Sequence, residues 1–209
     1  MTPTAAPPPA LLWRIGHWPD PLAWPPREAS PREPGRFDDS QRHYRVLYTA
    51  EQRLGCFVES IARFRPSIAV LKDAGALLAP PARIPASWRA SRCVGRLRPE
   101  SDQRFLDVRA LETIEVLRRE FAPLLHRLGF ADLDVSGVRG PNRAVTMAVS
   151  RWAYDAGFQG IAYRSRFDDA LDCWALFEGA RFARVGPAEP VLPDDPDLAV
   201  AAGRLGLAV

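Results

Sequence analysis

Residues 45–64 read RVLYTAEQRLGCFVESIARF. Arg45-Val46-Leu47-Tyr48 is an apolar, strand-forming run. Thr49-Ala50-Glu51-Gln52 follows, with Thr49 and Gln52 at capping-box spacing, so a helix is expected to start there. Leu54, Phe57, Ile61 and Phe64 recur at helical spacing and give that helix a core face, and Pro66 ends it.

Outward from this pair the elements stay mixed. Leu11-Leu12-Trp13-Arg14-Ile15 reads as a first strand, Arg92–Leu97 and Phe105–Val108 as later ones. Leu111–Leu128 reads as one amphipathic helix, with Ile114, Leu117, Phe121, Leu124, Leu125 and Leu128 on one side and Gly129 as its stop. Gly140-Pro141-Asn142 opens another helix, proline in its first turn, running through Val145, Val149 and Trp152 to Gly157. Gly160–Tyr163 and Cys173–Phe177 are strand candidates. No regular βαβ alternation emerges, so the pattern favours an α+β fold over a doubly wound sheet.

The ends are proline-rich. Residues 1–40 hold ten of the 21 prolines. Residues 1–10 read as a disordered arm, and 19–34 as an extended loop. Trp18 and Trp24 must then pack on the body or line a pocket. The main domain is expected at 11–186, with 64–103 as an insertion and 187–209 as a tail.

The chain has 209 residues, 47% of them hydrophobic and 25% charged, which suits a single globular domain and excludes wholesale disorder. No apolar run is long enough for a transmembrane helix, and the N-terminus does not read as a secretory signal. Three widely spaced cysteines, Cys56, Cys93 and Cys173, suggest reduced thiols in a cytosol. The 28 basic residues exceed the 25 acidic ones by three, but the two signs are interspersed. That argues against a nucleic-acid surface. Lys72 is the lone lysine; the rest are arginines. A GC-rich genome explains this, and so does phosphate or carboxylate recognition.

His17, His43 and His126 stand apart, and no HExxH or CxxC spacing exists, so no metal site is expected. P-loop, GxGxxG and GxSxG motifs are missing too. What remains is a set of polar residues beside predicted elements: Arg36 after the proline-rich loop, Tyr48 at a strand end, Glu59 within the helix, and Ser165 between Arg164 and Arg166. Each also has a plain reading. Arg36 could pair with Asp38 or Asp39, Tyr48 could be a core tyrosine, and Ser165 a turn residue. Glu59 could form a surface pair with Arg63 worth about 0.3–0.5 kcal/mol.

Taken in order, Trp13-Arg14-Ile15-Gly16, Gly35-Arg36-Phe37, Val46-Leu47-Tyr48-Thr49-Ala50 with Glu59 eleven residues after the tyrosine, Tyr163-Arg164-Ser165 and Cys173-Trp174-Ala175-Leu176-Phe177 resemble the RES domain family. That family is named for an arginine, a glutamate and a serine. The resemblance spans about Leu11 to Phe177. It implies a single-domain ADP-ribosyltransferase-like fold, a mixed or split β-sheet core with flanking helices.

The resemblance further implies a bacterial, cytoplasmic toxin that consumes NAD+ by hydrolysis or phosphorolysis, neutralised by an Xre-type antitoxin. NAD+ is then a substrate and not a prosthetic group, with inorganic phosphate as an alternative co-substrate; no nucleic acid or membrane partner is implied. Arg36, Glu59 and Ser165 correspond to the family's three residues, Tyr48 to its strand tyrosine and Arg14 to an N-terminal arginine. Cleavage at nicotinamide passes through an oxocarbenium-like ribose, which a carboxylate such as Glu59 can stabilise. Arg36 and Arg14 suit the diphosphate. Tyr48 could stack on nicotinamide or strain the ribose, and Ser165 could orient the bond to be broken. Arg164 or Arg166 could hold a phosphate nucleophile. The alternatives are a protein ADP-ribosyltransferase on the same fold and a non-catalytic interaction module.

Overall fold

The computed structural model describes residues 2–27, 34–74, 82–140 and 142–209. Its strands are β1 (Ala5–Ala6), β2 (Leu12–His17), β3 (Val46–Ala50), β4 (Ala82–Arg83), β5 (Arg92–Pro99), β6 (Phe105–Asp107), β7 (Gly160–Arg164), β8 (Asp172–Phe177), β9 (Phe182–Arg184), β10 (Glu189–Pro190) and β11 (Leu207–Ala208). Its helices are α1 (Arg53–Ile61), α2 (Ile68–Ala74), α3 (Ala86–Ala90), α4 (Leu111–Glu120), α5 (Ala122–Arg127), α6 (Arg143–Asp155) and α7 (Pro196–Leu205).

The main sheet runs β1-β6-β7-β8-β3-β2-β5-β10, with β9 also on β5. Only the β6–β7 pair in it is parallel. This is a single-domain α+β fold on a mixed sheet, as the pattern of elements implied. Among the described residues no helix is long and apolar enough to cross a membrane.

Both faces of the sheet are covered. On β8, Cys173, Ala175 and Phe177 face α4–α6, while Trp174 and Leu176 face Leu12, Leu22, Leu97 and Phe105. Burial on both sides explains why β3 and β8 read as continuous apolar runs. A further cluster joins Phe57, Val58 and Ile61 of α1 to Leu198, Ala201 and Ala202 of α7.

Several expectations need correction. The arm at 1–10 is not disordered. Ala5 and Ala6 pair with Leu106 and Phe105, Ala6 is buried, and Thr4 accepts from the Asp107 N–H. The edge of β6 carries backbone groups that need partners, and a short edge strand supplies them beside its prolines. The segment expected as an insertion, 64–103, includes a central part of the sheet in its last third. It contains β5, which pairs with the whole of β2 from Leu12–Leu97 to His17–Arg92. The boundary at 186 also fails, because α7 packs on α1 and Asp195 ties the two through Arg53.

Locally, α1 starts at Arg53 and not at Thr49. The strand reaches Ala50, where it pairs with Cys173. Thr49 Oγ1 donates to the Trp174 carbonyl and Gln52 Oε1 accepts from the Asp172 N–H. Strand pairing thus captures both side chains of the expected capping box. The helix expected over 111–128 breaks at Phe121 into α4 and α5. Pro123 lacks the N–H that would reach the Arg119 carbonyl. Within it Leu128 is exposed and Ile114, Leu117 and Leu125 are buried. The expected helix is present as α6, but it starts at Arg143, with Asn142 Oδ1 accepting from the Ala144 N–H as its cap; Pro141, expected in its first turn, lies outside the described residues. So does 28–33 within the proline-rich loop. Of its tryptophans, Trp24 packs near Phe182 and Trp18 is exposed.

Candidate active site

A cleft of about 610 Å³ opens between α1 and strands β2, β3 and β7. The approach is close because Gly55 has no side chain: a Cβ there would sit 2.9 Å from the Ala50 Cβ. That approach brings Cys56 and Glu59 of α1, and Arg63 in the turn after it, to the cleft instead of to open solvent.

Glu59 is the acidic residue that lines the cleft among its described residues. Its Oε1 accepts from Ser165 Oγ at 2.5 Å. Ser165 follows β7, is fully buried, and its Oγ also accepts from the Phe167 N–H at 3.1 Å. Burial pushes the Glu59 carboxyl above its ordinary value of 4.5, although Ser165, Arg36 and Arg166 all favour the charged form. The surface-pair reading of Glu59 therefore gives way to a half-buried carboxylate on a cleft floor.

Arginines surround it. Arg14 of β2 donates from Nε to the Pro21 carbonyl and from NH1 to the Tyr48 carbonyl, each at 2.8 Å. Burial lowers its guanidinium to about 10. Arg36 donates to the Gly140 carbonyl at 2.6 Å, and burial lowers its pKa too. Asp38 and Asp39 are occupied elsewhere, so neither is the partner that a simple pairing of Arg36 would need. Asp38 serves Tyr48 and Gly35; Asp39 serves His43.

Tyr48 sits at the wall with its hydroxyl committed. It donates to Asp38 Oδ1 and accepts from the Phe37 N–H, both at 2.8 Å. Burial holds its phenol protonated, well above the usual value of 10. Its ring, not its hydroxyl, is what the cleft offers. A neighbouring cavity of about 1000 Å³ shares Arg14, Gly35 and Tyr48 as its wall but takes no described residue from α1, and so lacks Glu59.

A family model described as the RES domain matches residues 11–197. This chain belongs to the RES domain family. Among solved structures, a chain from the crystal structure of the M. tuberculosis MbcT–MbcA toxin–antitoxin complex is similar, with a TM-score of 0.58 at 12% identity over 96% of this chain and 92% of that one. That similarity shows a shared fold. No curated protein matches the sequence.

Within this RES domain, four of the five expected residues, Arg14, Arg36, Tyr48 and Glu59, line one cleft although up to 45 positions separate them in the chain. The fifth, Ser165, stands behind Glu59 and reaches the cleft through it. Of the two arginines flanking Ser165, Arg166 lines the cleft and Arg164 does not. At the end of β7 Tyr163 is buried and Arg164 exposed; Arg166 shares Arg164's parity and reaches the cleft only because the chain has left the strand.

Two further residues had no site role in the sequence reading. Tyr163 lines the cleft, its phenol held protonated by burial. Arg143 lines it from the first position of α6. A cation there opposes the helix dipole, and that mismatch was a readable sign of function.

Proposed function

We propose that this RES protein is the toxin of a toxin–antitoxin pair and consumes NAD+ at the Glu59 cleft. The observation that carries this reading is the Ser165–Glu59 hydrogen bond at 2.5 Å in a cleft whose other charged lining residues are arginines. A lone carboxylate among cations suits a ligand with an anionic diphosphate and a ribose that turns cationic as it reacts.

In this mechanism Arg14 and Arg36 hold the diphosphate, and the Tyr48 ring lies against the nicotinamide half. The bond from the ribose C1′ to the nicotinamide nitrogen breaks, and its electron pair leaves with nicotinamide. Glu59 stabilises the positive charge that develops on the ribose. Ser165 acts as a positioning group: its hydroxyl aims the carboxylate and favours its ionised form. An oxygen nucleophile then bonds to C1′. If it is water, it sheds its proton to Glu59 or solvent. If it is phosphate, Arg166 at the rim is placed to hold it. The antitoxin is expected to be a protein of the Xre type, encoded beside this chain.

Nicotinamide release from NAD+ by purified protein, with and without phosphate, tests the reading. Release that rises with phosphate indicates phosphorolysis, and constant release indicates hydrolysis. Labelled NAD+ that stays on a protein band would instead mark an ADP-ribosyltransferase. Glu59→Gln should fold normally and lose about 10²–10³-fold in turnover. A folded variant with unchanged turnover removes Glu59 from the mechanism.

A further inference from the structure

The segment Gly35-Arg36-Phe37-Asp38 carries no regular secondary structure, yet Arg36 must be presented to the cleft from it. Ser150 Oγ donates to the Phe37 carbonyl at 2.6 Å, and the other side-chain tie is Asp38. Its Oδ2 accepts from the Gly35 N–H at 2.6 Å, and its Oδ1 accepts from the Tyr48 hydroxyl at 2.8 Å. That hydroxyl in turn accepts from the Phe37 N–H. The chain on either side of Arg36 is therefore tied to strand β3 through one carboxylate and one phenol.

The contact is tight. A Cβ on Gly35 would lie 2.4 Å from the Tyr48 hydroxyl oxygen and 2.7 Å from two ring carbons, so only glycine lets the turn rest on the ring. The far end of Arg36 meets the Gly140 carbonyl. Phe37, on the other side, is buried and packs edge-on to Tyr163 at 5.0 Å.

We propose that Asp38 is the positioning residue for Arg36, setting the anion affinity of the cleft by clamping the 35–38 turn to Tyr48. This rests on the reading of the cleft as a site for NAD+, because Arg36 is the diphosphate ligand in that reading. A long cationic side chain binds a diphosphate well only if its backbone is already fixed; otherwise ordering the turn is subtracted from the affinity. The clamp needs two acceptors on one side chain. Carboxylate supplies both, carboxamide supplies one and replaces the other with a donor, and alanine supplies none.

ADP-ribose affinity by calorimetry, with KM and kcat for nicotinamide release, provides the test in Asp38→Ala, Asp38→Asn, Arg36→Lys and the Asp38→Ala/Arg36→Lys pair. Asp38→Ala should weaken ADP-ribose and raise KM by roughly tenfold, with kcat within about twofold. Asp38→Asn should fall between it and the parent. The double variant should be little worse than Arg36→Lys, since both changes disable one contact. Unchanged affinity and KM in folded Asp38→Ala overturns the proposal, as does full additivity with Arg36→Lys or absence of ADP-ribose binding to the parent. If the parent binds ADP-ribose in an Asp38-dependent way yet releases no nicotinamide, the NAD+-cleavage reading fails and the clamp stands. If Glu59→Gln abolishes release while Asp38→Ala changes nothing, the clamp fails and NAD+ cleavage stands.

Discussion

Arginines inside the cleft and arginines around it live in opposite electrostatic settings. Arg53 pairs with Asp195 at 2.6 Å and Asp197 at 2.8 Å, and stacks over Phe57. Arg109 pairs with Asp107 and Asp172, each at 2.8 Å, and lies over Trp174. These carboxylates, Asp195 and Asp107 foremost, push the two guanidinium groups above their ordinary value. Arg14 and Arg36 instead donate to backbone carbonyls, and burial lowers both. A buried cation hydrogen-bonded to carbonyls and not to a carboxylate is poorly compensated, even with the charge of Glu59 near Arg36. The outer arginines hold elements together. In the proposed mechanism the inner ones hold charge in reserve for an anionic ligand, at a cost to stability.

That contrast can be broken most forcefully at Arg36. Arg36→Ala should weaken ADP-ribose binding by about 10–100-fold while leaving the melting temperature within a few degrees. Arg53→Ala should do the reverse. It leaves Asp195 buried without its partner and is expected to cost about 1–3 kcal/mol, seen as a lower denaturant midpoint, with KM near the parent's. If Arg53→Ala changed affinity and Arg36→Ala changed stability, the division would be wrong.

Glu59 sharpens the comparison through pH. The proposed mechanism requires its ionised form, and burial raises its pKa, so the acid limb of kcat/KM should lie above pH 4.5. Removing the Ser165 hydroxyl removes a bond that favours the carboxylate. Ser165→Ala should therefore move that limb to higher pH, measured from the pH profile of nicotinamide release. The smallest effect concerns stability. The folded chain holds the Glu59 proton more tightly than the unfolded chain does, so stability falls as pH rises above 4.5. Glu59→Gln escapes that loss. It should melt about 1–3 °C higher than the parent at pH 7.5 and match it below about pH 4.

Much of the frame was legible because burial on both faces leaves a plain mark. Leu12–Ile15, Val46–Tyr48, Gly160–Tyr163 and Cys173–Phe177 are strands as their apolar runs predict. The Arg36, Tyr48 and Glu59 motif was legible too, as a spacing that resembles the RES domain. The ends were not. Ala5–Ala6 is a two-residue strand whose only reason to exist is the open edge of β6. The start of α1 was misplaced because the Thr49 and Gln52 side chains bond to β8, more than a hundred residues away.

By itself, then, the sequence determined the type of the central elements, the α+β class, and the family to which the Arg36–Tyr48–Glu59–Ser165 order points. Those rest on local periodicity and on motifs, which a linear reading holds in full. Tertiary structure alone decided that Glu59 faces a cleft and not solvent, that Ser165 serves Glu59, that Arg166 and not Arg164 reaches the site, and that Asp38 ties the Arg36 turn to Tyr48. Each depends on which elements approach one another: α1 on β3 across Gly55, and the 35–38 turn on the Tyr48 ring across Gly35. The burial that raises Glu59 and lowers Arg14 exists only once those elements have met.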